Sequence, residues 1–151
     1  MKAASAWRRL MGVSYEAMLL FGITWFFGYA FSALAQFRGE PGAARWAFQW
    51  YMLAVVGAYF IWAWSNGRRS LPMRTLSMRL VTAAGEPVSI GRAALRFAAA
   101  VAMLVAPLAL ARAAHPALAV LMLAPFAWAA FDAQRRTLWD VAAGTRMIVQ
   151  D

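Results

Sequence analysis

Residues 97–131 read FAAAVAMLVAPLALARAAHPALAVLMLAPFAWAAF, an apolar run of 35 residues whose strongly polar members are Arg112 and His115. A membrane-crossing helix needs about 20 apolar residues, with about 17 as the lower bound. The run holds two crossings if residues 112–116 form the turn and Arg96 and Asp132 reach out to the interface. Each leg is then near the minimum length, and a re-entrant hairpin is the alternative. Upstream, Leu10–Ala35 and Ala44–Trp64 are each long enough for one crossing. The pattern predicts an all-α, four-span transmembrane bundle in one membrane domain over 1–151, with spans at about 10–35, 44–64, 94–111 and 116–132.

Composition agrees. Of 151 residues, 64% are hydrophobic, 15% aromatic and 14% charged. A soluble domain runs near half apolar and a quarter charged, so the excess apolar surface must face lipid. The absence of cysteine excludes disulfides, thiolate metal sites and a cysteine nucleophile. A net charge of +9 would suggest nucleic acid in a soluble chain. Here the basic residues sit between apolar runs, as in cytoplasmic loops of membrane proteins, so nucleic acid is not an expected partner.

Their distribution sets orientation. Lys2, Arg8 and Arg9 precede the first span. Arg68, Arg69, Arg74, Arg79, Arg92 and Arg96 lie between the second and third, and Arg135, Arg136 and Arg146 follow the last. Only Arg38, Arg45 and Arg112 fall on the opposite side. The positive-inside rule places both ends in the cytoplasm, N-in/C-in, which requires an even number of spans. Trp46 and Trp50 at one end of the second run, and Trp62 and Trp64 at the other, read as interfacial anchors. Residues 33–36, Ala-Leu-Ala-Gln, after a basic and apolar stretch, have the outline of a signal-peptide cleavage site. Glu16 interrupts that stretch, and cleavage would leave three spans and spoil the charge balance, so it reads as a span.

The cytoplasmic segment 65–92 carries its own pattern. Residues 76–80, Leu-Ser-Met-Arg-Leu, alternate with period two and read as a strand, 83–87 carries turn chemistry, and Val88-Ser89-Ile90 can return as the second strand. This predicts a small β-hairpin between spans two and three, which the strand-like residues 145–149 can join after Gly144. The alternative for 71–81 is an amphipathic helix on the membrane surface.

Several ordered pieces resemble a known family. They are Arg8-Arg9-Leu10, Tyr15-Glu16-Ala17-Met18-Leu19-Leu20, Ser70-Leu71-Pro72-Met73-Arg74-Thr75, Met78-Arg79-Leu80-Val81, Gly85, Pro87, Ala94-Leu95-Arg96-Phe97 and the stretch from Leu138 to Thr145. Together, from Trp7 to Val149, they resemble the RDD family of bacterial membrane proteins, named for one arginine and two aspartates. By position the arginine is Arg8 or Arg9, the first aspartate falls on Glu16 and the second on Asp140. Glu16 keeps the charge with one more methylene, and Arg69 stands where relatives often carry a neutral polar residue. The resemblance implies a multi-span domain of the bacterial inner membrane, associated with transport but with no agreed substrate. It does not imply an enzyme.

The charged residues then sort by position. Glu16 lies about two turns into the first span, where a carboxylate at full depth costs about 2.5–3.5 kcal/mol. Burial disfavours its charge and a nearby arginine favours it, a competition that suits a proton or cation site and equally a structural ion pair. Arg9, seven residues earlier, shares its face at about 10 Å along the axis, too far for a comfortable contact. Arg8 and Arg9 are therefore expected to reach lipid phosphates, and Glu16 to find Arg74, Arg79 or Arg96. Asp140 either pairs locally with Arg136, four residues before it, or closes against the basic middle segment. Ala94, Ala98, Ala102 and Ala106 repeat every four residues, a small-residue face for another helix, within the chain or in a homo-oligomer.

No catalytic constellation appears. His115 has no second ligand of suitable type, so no metal or cofactor is expected, and there is no phosphate loop or serine with a base at a recognisable spacing. Two functions remain: a transporter of a small solute or cation, coupled to protons through Glu16, or a scaffold whose basic underside binds anionic lipid or a protein partner that the sequence does not name.

Overall fold

A computed structural model describes residues 2–3 and 5–149. The helices are α1 (Ala6–Ala35), α2 (Ala43–Trp64), α3 (Leu71–Thr75), α4 (Ile90–Ala113), α5 (Ala124–Phe131) and α6 (Leu138–Ala142), with a 3-10 segment over Pro116–Leu123. The strands are β1 (Lys2–Ala3), β2 (Met78–Thr82) and β3 (Thr145–Val149). Three helices are long and apolar enough to cross a membrane: Trp7–Ala35, Ala43–Trp64 and Ile90–Ala113. Their ends agree with the expected spans within a few residues.

Three helix starts have the same local cause. Ser5, Ser70 and Ser89 stand at the N-caps of α1, α3 and α4, and each side chain accepts from the backbone N–H three residues on. At the far end of the bundle the α1–α2 turn is closed by aromatic packing. Phe37 is buried there, with its ring 5.3 Å from that of Phe48 and 6.1 Å from that of Phe31.

The fourth apolar run differs from the other three. Residues 116–131 form the 3-10 segment followed by α5, 16 residues in place of a single long helix. His115 caps the segment, its Nδ1 accepting from the Ala117 N–H at 3.2 Å, and Pro116 follows at the first helical position. The segment packs back along α4. A 3-10 helix rises about 2.0 Å per residue against 1.5 Å for an α-helix, so the two pieces laid end to end reach about 28 Å. Two of the three prolines of this region, Pro107 in α4 and Pro125 at the start of α5, are buried.

The sheet corrects the expected hairpin. It has three strands in the order β1-β3-β2, all antiparallel, with Met78 opposite Val149 and Thr82 opposite Thr145. Residues 88–90 form no return strand, because Ser89 is taken as the N-cap of α4 and Ile90 is already helical; one isolated bridge, Val81 with Pro87, precedes them. The main partner of β2 is the distant β3. The surface-helix alternative for 71–81 fails as well: five residues are helical and the strand begins at Met78.

The core sits at this end of the bundle, not between the spans. Ala63, Trp64, Met73, Met78, Leu80, Val88 and Ala93 form one buried cluster where the end of α2 and the start of α4 meet α3 and one face of the sheet. Along the spans, side chains such as Phe21, Trp25 and Tyr29 are exposed, as lipid-facing residues are. At Gly57 the Phe97 ring of α4 lies close against α2: a Cβ there would be 2.9 Å from the ring. Gly57→Leu is expected to destabilise the protein by about 1–3 kcal/mol, read as a lower thermal midpoint in detergent.

Candidate functional site

Four of the charged residues singled out by sequence, Arg9, Glu16, Arg96 and Asp140, form two sites at the sheet end. The first is built on α6. Thr137 precedes this helix and Asp140 is its third residue, so the Thr137 N–H and hydroxyl both donate to Asp140 Oδ2, at 3.2 and 2.8 Å. The chain then turns through Gly144, at φ +62°, and Thr145 returns with its hydroxyl 3.4 Å from Asp140 Oδ1. Two arginines complete the site. Arg96, from the second turn of α4, donates through Nε to Oδ1 at 2.7 Å, and Arg9, from α1, brings Nη1 to 3.6 Å from Oδ2. Asp140 and Arg96 are both buried. Behind Arg96 the Trp64 ring lies 4.0 Å from the guanidinium carbon, a cation–π contact. Trp64 therefore holds Arg96, while Trp62 stays exposed at the surface beside Arg68.

An ionised carboxylate offers about four acceptor positions, and Asp140 meets five donors. Arg96 and Thr137 take the short contacts. Arg9 keeps a longer ion pair, and its Nε and Nη2 are shielded from solvent without an acceptor among the described residues. Burial pushes the Asp140 carboxyl up, but Arg96, Thr137 and Arg9 outweigh it and hold it below the usual carboxylate range. The sign of the pH effect follows. A depressed folded-state value gives stability that is complete above about pH 4 and lost as pH falls through the folded value. The thermal midpoint is expected to drop below about pH 4, and by less in Asp140→Asn.

These contacts correct several expectations. Arg9 faces Asp140 and not the lipid phosphates, whereas Arg8 is exposed at the surface. Of these two arginines, Arg9 is the one that reaches Asp140. Arg136 pairs with Asp132 at 2.9 Å, not with Asp140. Hydrogen bonds from the Arg136 side chain and backbone hold the Asp132 carboxyl well below the usual range. Asp140 instead closes against Arg96, and so ties α6 under α4.

The second site surrounds Glu16. It lies a third of the way along α1, about 15 Å from the helix start. Tyr59 of α2 donates its hydroxyl to Oε1, and Ser70 donates to Oε2 at 2.9 Å. Ser70 is buried and also accepts from the Met73 N–H, so one hydroxyl caps α3 and binds Glu16. None of the expected arginines arrives. Arg96 is committed to Asp140, Arg74 is exposed on α3, and Arg79 lies on the sheet. No salt-bridge partner of Glu16 occurs among the described residues.

Sequence reasoning missed Tyr59, Ser70, Thr137, Thr145 and the role of Trp64. Two had a visible signal: Thr137-Leu-Trp-Asp140 has capping-box spacing, and Ser70 precedes Leu71-Pro72 as an N-cap would. Tyr59 had none, standing 43 residues from Glu16 inside an apolar run.

The alanine stripe points outward. Ala98, Ala102 and Ala106 are exposed, and with Leu53, Phe97, Val101 and Val105 they line a shallow apolar groove of about 480 Å³ between α2 and α4. No charged side chain lines this groove. Among the described residues no group of three His, Cys, Asp or Glu could hold a metal ion.

Comparison with curated proteins and with solved structures gives no significant match. A family model does match: that of the RDD family covers residues 3–144, nearly the whole chain and both carboxylate sites. The chain, with its three apolar helices of spanning length, belongs to the RDD family.

Proposed function

We propose that the protein moves a small cation or solute across the bacterial inner membrane, coupled to protons through Glu16. The observation that carries this reading is a carboxylate inside a spanning helix, held by two neutral hydroxyls and with no cationic partner among the described residues. Two donors leave about half of its acceptor positions open. A carboxylate kept only to pin helices would be expected to carry its arginine, as Asp140 does. An uncompensated one is suited to exchange a proton for a cation.

The proposal includes four spans with both ends in the cytoplasm. A 28 Å reach for residues 116–131 approaches the hydrocarbon thickness of about 30 Å. The twelve basic residues of the sheet end against three at the other support the orientation. The outward alanine face and its groove are where a second copy would pack in a homo-oligomer. The reading is tested by ion and proton flux in proteoliposomes, wild type against Glu16→Gln. Absence of flux from folded wild type, across cations and pH gradients, would leave the scaffold reading, in which the basic end binds anionic lipid or a partner chain.

A further inference from the structure

The sheet has a second face, opposite the core. Side chains alternate across a strand, so Met78, Leu80, Met147 and Val149 face the core, and Arg79, Val81, Arg146 and Ile148 face the other way. The register sets Arg79 opposite Ile148 and Val81 opposite Arg146. These four residues make a two-by-two patch with arginines at opposite corners, a diagonal of about 7–8 Å between Cα atoms. Val81 and Ile148, at the other corners, are buried.

We infer that Arg79 and Arg146 bind a phosphate-bearing anion on this face. Both side chains are half-buried, and the Nε of each is shielded from solvent with no acceptor among the described residues. The three salt bridges among the described residues use Arg9, Arg96 and Arg136, so neither arginine of the patch has a carboxylate partner among those residues. Two like charges on one face repel unless something neutralises them. The Arg79 guanidinium lies against the α2–α3 turn: its Nη2 is 2.6 Å from where a Cβ on Gly67 would stand, and Gly67 has φ +72°, which favours glycine. A third guanidinium flanks the patch: Arg92 Nη1 lies 3.7 Å from the Cβ position of Gly144, two residues before Arg146. A phosphoryl group has enough oxygens to accept from two guanidinium forks at once, whereas a carboxylate is matched by one. The same chemistry is offered by a free phosphate compound and by a phospholipid headgroup. This site shares no residue with the Glu16 site and does not depend on transport.

The test uses full-length protein in phosphatidylcholine nanodiscs, titrated calorimetrically with inorganic pyrophosphate. Saturable binding is expected, weakened about tenfold or more by Arg79→Gln or Arg146→Gln and unchanged by Arg112→Gln at the other end of the bundle. If the glutamine variants fail to fold, Arg79→Lys and Arg146→Lys keep the charge and lose the fork, and are still expected to weaken binding. A second arm adds phosphatidylglycerol to the discs. A thermal midpoint that rises with this lipid in wild type but not in the variants, with no pyrophosphate binding, identifies the headgroup as the source. Binding in neither arm, or binding that all the variants retain, overturns the inference.

Discussion

Asp140→Ala is expected to lower stability by about 3–5 kcal/mol, the largest effect of any single substitution in this protein. Removing the carboxylate leaves Arg96 buried against Trp64 and Arg9 half-buried without its one ion pair. It also removes the acceptor for the Thr137 N–H and hydroxyl, and so loosens the start of α6. The cost is mainly that of stranded buried charge, which gives the prediction a second part. Adding Arg96→Met to Asp140→Ala is expected to recover part of the loss, because the double variant no longer buries Arg96 unpaired. Thermal unfolding in detergent measures both. Equal midpoints for wild type and Asp140→Ala would mean that the cluster contributes nothing to the fold.

The largest functional effect is expected at Glu16. Glu16→Gln keeps the size, and its amide oxygen can accept from one of Tyr59 and Ser70 while its amide N–H donates to the other hydroxyl, but it cannot carry charge. Flux is expected to fall to the level of protein-free liposomes, with the thermal midpoint close to that of wild type. Tyr59→Phe and Ser70→Ala each remove one donor and keep the carboxylate, so they are expected to change the pH dependence of flux and not abolish it. Normal flux in Glu16→Gln removes this residue from the mechanism. A collapsed midpoint with normal flux in the survivors would make Glu16 a helix-packing group.

What the sequence made legible depended on the range of the interaction. Spans α1 and α2 were read because a long apolar run is a local property, and so were the strand character of 78–80 and 145–149. The pairing of those strands was not, since β2 meets a segment more than sixty residues later and nothing near Met78 announces it. The hairpin failed for the same reason: the turn chemistry of 83–87 was real, but Ser89 had a better use as a helix cap. Ion pairing failed in a different way. Fifteen basic residues compete for six acidic ones, so charge alone cannot select Arg96 over Arg136 for Asp140. Helix spacing offered Arg136 and the basic middle segment offered Arg96, and tertiary packing decided for Arg96. Tyr59 was hidden because one hydroxyl in an apolar run looks like an anchor until the neighbouring helix is in place.

The strand order β1-β3-β2 also has a consequence for assembly. The middle strand of the sheet is the last of the three to be synthesised. Until residues 145–149 leave the ribosome, β1 and β2 have no ladder to join, and Arg96 waits for a carboxylate carried on α6 just ahead of that strand. Helices α1, α2 and α4 are complete before then. Formation of the long apolar helices and locking of the sheet end are thereby separated in time, with β1 and β3 drawn from opposite ends of the fold. A nascent chain can adjust the tilt and pairing of its helices while the sheet is open, and the arrival of β3 fixes the arrangement reached.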